Sequence, residues 1–207
     1  MAKGATKHND EAAAPTGPKV TPRLQQRYRE EIAPKTLEKF GMSNRMSAPR
    51  LQKIVLNVNM GRHIEGTKVP PNVRETVIST LTAVSGQKPI VIKAKKSVSN
   101  FKVREGYESS AMVTLRRDRM WHFLDRLINL GAPRIKDFRG LPETSFDKGG
   151  NYSMGLVEQG VFPEIDMTRV NFTHGMHINL VFSNSDPEKS RFVLEEFGFP
   201  FRKPETN

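Results

Sequence analysis

Cysteine is absent from all 207 residues. That excludes disulfide frameworks, thiolate zinc sites and cysteine-ligated iron–sulfur clusters. Long apolar runs are missing too, and no uncharged stretch approaches the ~20 residues a membrane-spanning helix needs. The N-terminus, Met1 to Lys19, lacks the apolar core of a signal peptide and is broken by Asp10 and Glu11. A soluble, cytoplasmic chain with no membrane partner is the expectation. Acidic residues are also outnumbered, 22 against 33 basic, for a net charge of +11. Such an excess favours polyanions, because each cation placed on a phosphate releases condensed counterions. Nucleic acid leads that ranking, followed by an anionic membrane surface and then an acidic protein.

Signals for catalysis are equally thin. Gly86-Gln87-Lys88-Pro89 lacks the upstream glycine and the following hydroxyl of a phosphate loop. His174 and His177 are three apart, and strand alternation would set them on opposite faces with no third ligand. Ser153 lacks the glycine spacing of a nucleophile elbow. Glu158, Glu164 and Asp166 read as local charge balance. The expectation is a non-enzyme with no catalytic residue, metal or cofactor.

What is present is a succession of periodic segments. Residues 1–20 are rich in Ala, Lys, Pro, Gly and Thr and read as a disordered arm. Residues 21–203 form one domain, followed by a tail, 204–207. Thr21-Pro22 predicts a helix cap with proline at the first helical position. Leu24, Tyr28, Ile32 and Leu37 mark its stripe, with Pro34 bending or ending it. Strands are predicted at 53–59, 90–93, 112–116, 152–157 and 176–182. Helices are predicted at 72–85, at 119–130 capped by Asp118 and closed by Gly131, and from Asp186-Pro187 to Phe197.

Several of these strands alternate apolar with polar residues. They belong to an α+β fold, an open β-sheet with helices packed on one face. The polar face would carry Asn57, Asn59, Thr114, Arg116, His177 and Asn179, side chains suited to RNA backbone, 2′-hydroxyls and base edges. Plain solvent exposure is the competing explanation.

Charge is concentrated between Gly86 and Arg119, where nine basic and three acidic residues give +6. Within it, Lys95, Lys96, Lys102 and Arg104 alternate with Ser97, Ser99, Asn100, Phe101 and Tyr107 between two strands. Cations for phosphates, small donors for riboses and aromatics for stacking are the parts of an RNA-contacting loop. Lys88 and Arg116 flank it, and Arg134, Lys136 and Arg139 form a second basic patch.

Segments spread along the chain resemble the bacterial large-subunit ribosomal protein five family. They include Lys53-Ile-Val-Leu-Asn57, Leu81-Thr-Ala-Val-Ser-Gly-Gln87 and Lys93-Ala-Lys-Lys-Ser-Val-Ser-Asn-Phe-Lys102. Further matches are Val113-Thr-Leu-Arg-Arg-Asp-Arg-Met-Trp121, Pro133-Arg-Ile-Lys-Asp-Phe-Arg-Gly-Leu141, Ser145 to Gly155, Phe162-Pro-Glu-Ile165 and Phe199-Pro-Phe-Arg-Lys203. They run in family order. The resemblance implies an antiparallel sheet whose open face binds 5S rRNA and docks it to the large-subunit rRNA in the central protuberance, beside neighbouring proteins. Asn57, Gln87 and Thr114 take the 5S-contacting positions, with Lys88, Arg116 and Asn179 around them. The loop from Lys95 to Tyr107 would reach peptidyl-site tRNA, and the surface after the central helix would meet a small-subunit head protein. Asn59-Met60-Gly61 and Glu108-Ser109-Ser110 depart from the family pattern. A free RNA chaperone or regulator using the same sheet is the alternative, and a nucleic-acid enzyme is a third reading.

Overall fold

Period two builds the central strand, β1 (Arg50–Asn59). Ile54, Leu56 and Val58 point to one side and are fully buried, while Val55 and Asn57 are half-buried on the other and Asn59 is exposed. The computed structural model describes residues 21–61, 68–101, 103–168, 170 and 172–202, so the expected arm and tail lie outside the described residues. Around β1 assemble β2 (Ile90–Lys93), β3 (Glu108–Leu115), β4 (Tyr152–Leu156) and β5 (Met176–Ser183). Their order is β2-β3-β1-β5-β4, with every neighbouring pair antiparallel. The open antiparallel α+β sheet expected from alternation and resemblance is the one observed. β3 begins four residues earlier than its alternation indicated, because Ser109 and Ser110 conceal the apolar period. Register shifts at Leu51/Lys53 and Ile92/Lys93 kink β1 and β2.

One face of the sheet is covered by helices: α1 (Arg23–Arg27), α2 (Ala33–Lys39), α3 (Pro71–Ser85), α4 (Arg117–Arg126) and α5 (Pro187–Glu196). α1 passes into α2 through a π-helical turn, Tyr28–Ile32. Pro34 supplies no N–H for the regular ladder, and the wider turn before it carries the helix onward without a break. The stripe is therefore Leu24, Tyr28 and Ile32, then buried Thr36, with Leu37 only half-buried. Pro22, expected at the first helical position, is the cap residue itself, and no side chain caps the turn. α3 buries Val73, Val77, Leu81 and Val84 and stops at Gly86, whose φ of 65° suits a residue without a Cβ.

α4 corrects two expectations. It starts at Arg117, so its cap is Arg116 and Asp118 lies inside the first turn, where its charge faces the positive helix end. Nor does Gly131 close it, since a π turn, Leu127–Gly131, and a 3-10 turn, Ala132–Arg134, prolong the coil.

The core joins the covered sheet face to Met120, Trp121, Phe123 and Leu124 of α4 and to Val193 and Leu194 of α5. Each such side chain contributes roughly 1.5–3 kcal/mol on leaving water. At the β4 edge, Phe146, Tyr152, Phe199 and Phe201 form an aromatic group with ring centroids 4.8–6.0 Å apart. Burial pushes the Tyr152 phenol up to about 12, and its hydroxyl donates to the Pro142 carbonyl at 3.0 Å. The chain's end staples the preceding loop, as Leu141 N–H donates to Pro200 at 2.8 Å and Arg202 N–H to Leu141 at 2.9 Å. Gly140 permits that approach, because a Cβ there would lie 2.6 Å from Arg202 Cα.

Candidate nucleic-acid interface

The uncovered sheet face is ordered by strand pairing into cross-strand rows. One row reads Ile90, Met112, Asn57, His177, Gly155, and the next reads Thr114, Val55, Asn179, Ser153. Asn57 is thus the middle of the sheet, with Thr114 and Asn179 on its diagonals. Gln87 reaches the same corner from the end of α3. With its amide turned so that both groups are satisfied, its nitrogen donates to the Thr114 carbonyl and its oxygen accepts from Arg119, both at 3.2 Å. Arg119 also donates to the Gly86 carbonyl at 3.1 Å, which ties the end of α3 to the first turn of α4. Lys88 is exposed beside this corner, and Arg116 is exposed just past the end of β3.

Two features separate the candidates. Asn59 Oδ1 accepts from Gly61 N–H at 2.7 Å, so this amide shapes the strand's exit. Asn57 Oδ1 is shielded from solvent and accepts no hydrogen bond from any described residue. Leaving such an acceptor unsatisfied costs about 1–3 kcal/mol, which a ligand's donor recovers.

The face is less polar than its name suggests. Val55, Met112, Ile90 and Val181 interrupt it, and Ile90 is 67% exposed. Period two puts Val55, Met112 and Val181 on this side. That they form apolar patches between the amides became visible only with the register. His177 is exposed on this face, whereas His174 is buried before β5 begins. Among the described residues no group of three or more His, Asp or Glu side chains converges as a metal site.

The basic loop is a hairpin extending β2 and β3. Ala94 N–H donates to Tyr107 at 2.7 Å, Gly106 N–H to Ala94 at 2.9 Å, and Val98 and Val103 exchange backbone bonds at 2.9 and 3.2 Å. Ser97 is tied into it, since its hydroxyl oxygen accepts from Glu105 N–H at 2.9 Å. Lys95, Lys96, Asn100 and Arg104 are exposed, Tyr107 is half-buried at the root, and Phe101 stands 75% exposed at the tip. Lys102 lies outside the described residues.

Arg134, Lys136 and Arg139 are exposed around a cleft of about 630 Å³ between the loop after α4 and the end of β4. Lys136 pairs with Glu158 at 3.5 Å, and Val157 beside it is 85% exposed. This patch is separate from the sheet face and mixes charge with apolar surface.

An amide-bearing open sheet and a basic hairpin with an exposed aromatic tip define an α+β protein with a surface suited to RNA. Comparison with known proteins narrows the class. The family model described as Ribosomal protein L5 matches residues 44–104, and the model for the C-terminus of the same ribosomal family matches residues 108–201. Large ribosomal subunit protein uL5 of Kocuria rhizophila is 46% identical over 187 residues, covering 90% of this chain and 97% of the relative. The uL5 proteins of Bdellovibrio bacteriovorus (46%, covering 87% and 99%) and Leifsonia xyli subsp. xyli (47%, covering 90% and 94%) are similar to the same extent. The chain belongs to the ribosomal protein L5 family, and is a structural, non-enzymatic constituent of the large ribosomal subunit.

Proposed function

We propose that the open sheet face binds 5S rRNA and anchors it to the large-subunit rRNA in the central protuberance. The observation that carries this reading is the sheltered, unpaired Asn57 Oδ1 at the centre of the face, with Thr114, Gln87 and Asn179 around it. Apolar Val55 and Met112 between the amides exclude water, so a hydrogen bond made there is strengthened. Lys88 and Arg116 at the margin neutralise phosphates and supply affinity without sequence preference.

On the same reading, the hairpin from Lys95 to Tyr107 reaches peptidyl-site tRNA. Its backbone pairing holds the cations away from the sheet, and Phe101 offers a stacking surface. The surface that follows α4 contributes to a contact with a small-subunit head protein, consistent with the mixed apolar and charged cleft there.

The test is binding of the full chain to 5S rRNA and to a length-matched control RNA at moderate and high salt. A 5S preference that survives high salt supports the reading, and equal, salt-labile binding to both reduces the chain to a generic basic protein. Deletion of residues 95–107 should spare 5S affinity and impair tRNA-dependent function. Lost 5S affinity would end that division of labour.

A further inference from the structure

The ionisable side chains of the open sheet face sit at its margins, with one exception. Period two puts Lys53 of β1 on this side, half-buried opposite Val181 and toward the strand's start. Lys88 and Arg116 are exposed at the Gln87 corner. Glu108 opens β3 and is already paired with Arg74 at 2.8 Å. Glu158, just past β4, is paired with Lys136. β4 itself presents Ser153 and Gly155 to this side, and neither ionises. The exception is His177 of β5, which lies directly across from Asn57 on one side and from Gly155 on the other.

The surroundings leave this imidazole available to a ligand. His177 is exposed, and no carboxylate among the described residues pairs with it. A Cβ built on Gly155 would lie 3.8 Å from His177 Nδ1, so the ring rests beside bare backbone of β4. Gly155 has no positive φ, and the backbone there does not call for glycine. What the missing side chain provides is room at the ring. On the other flank stands the shielded Asn57 Oδ1, which accepts no hydrogen bond from any described residue. Residues opposite each other in an antiparallel pair have Cα atoms roughly 4.5–5.5 Å apart. An acceptor and an imidazole at that spacing suit the 2′-hydroxyl of one nucleotide and the phosphate that follows it.

We infer that His177 is a proton-dependent contact, which tightens the grip of the open face on RNA as pH falls. Protonated from solvent, its imidazolium donates to an RNA phosphate beside the nucleotide whose 2′-hydroxyl donates to Asn57. A neutral imidazole has one N–H and a lone pair, and the lone pair is repelled by a phosphate. The imidazolium has two donors and a charge, and its hydrogen bond to an anion is roughly twice as strong as a neutral one. Histidine is the side chain suited to such a change within the range of cellular pH. Proton and RNA then support each other, each raising the affinity for the other by the same factor. The inference rests on the reading of the open face as the 5S rRNA surface and adds to it a response to pH.

The experiment measures binding of the full chain to 5S rRNA and to a length-matched control RNA at about pH 8 and about pH 5.5, at constant ionic strength. At the lower pH the wild type should bind 5S about tenfold more tightly, with a salt slope steeper by about one. H177F keeps a ring that has no proton to gain, and should lose that increase. H177K, a fixed cation, should hold the tighter affinity at both pH values. H122Q, which removes an exposed histidine from α4, should respond to pH as the wild type does. Calorimetry in two buffers of unlike ionisation enthalpy should show proton uptake on 5S binding by the wild type, and less by H177F. The same increase in H177F, or an equal one on the control RNA, would overturn the inference and assign the response to other groups. A 5S preference that ignores pH would also overturn it while sparing the open-face reading. Absence of any 5S preference at either pH would count against both. Thermal melts at each pH check that every variant folds.

Discussion

Leu56 and Asn57 are adjacent in β1 and live under opposite rules. Leu56 faces the helices, is fully buried and belongs to the apolar core. Asn57 faces outward and keeps a shielded oxygen with no hydrogen bond from any described residue. The covered face is packed within the chain, whereas the open face keeps an acceptor that no described residue satisfies. On the proposed reading, stability and recognition are divided between alternate residues of the same strands.

The largest expected effect lies on the covered side. Leu56→Ala should destabilise the fold by about 2–5 kcal/mol in urea unfolding while leaving 5S affinity of the folded fraction unchanged. A selective loss of RNA affinity there would blur the division. Next comes Tyr152, whose phenol titrates at about 12 when folded against 10.0 for the free group. Its folded pKa is raised, so its stabilising contribution is complete below about pH 10 and is lost as pH climbs toward about 12. That loss should approach roughly 3 kcal/mol. Tyr152→Phe should flatten this alkaline decline, and an unchanged slope would assign it to other groups.

Asn57→Ala should weaken specific 5S binding by roughly 1–3 kcal/mol with little cost to thermal stability. Equal loss on a random RNA would remove Asn57 from recognition. Smallest is Arg104→Ala, which should lower the salt slope of any RNA contact made by the hairpin by about one and leave 5S preference as it was. A changed preference would mean that the hairpin reads the RNA on the sheet.

The fold was legible where burial and period agree. Ile54, Leu56 and Val58, or Met176 to Phe182, can be read directly, because period two with one apolar side has a single packing solution. Local chemistry was harder. Asp118 looked like a cap, yet α4 begins one residue before it with Arg117 at a φ of 53°, a conformation that residue type does not announce. The π turns at Tyr28 and Leu127 are likewise invisible in a stripe, which tolerates one extra residue per turn. At the site, Asn57 and Thr114 were found by alternation and Gln87 by resemblance. Their meeting, and the apolar patches between them, depended on register, a pairing between distant segments that neither strand encodes alone.

The narrow strand β2 carries one more implication. It is a sheet edge only four residues long, preceded by Pro89, which has no N–H to offer, and it is kinked by the register shift at Lys93. At the other edge, β4 is partly covered by Ser145 and Phe146, through the Ser153 N–H bond at 3.2 Å and a bridge to Tyr152. Neither flank offers a long, flat row of free amides to another copy of itself. A newly made molecule, waiting for RNA with Ile90 still bare to water, is thus protected against stacking edge to edge into aggregates.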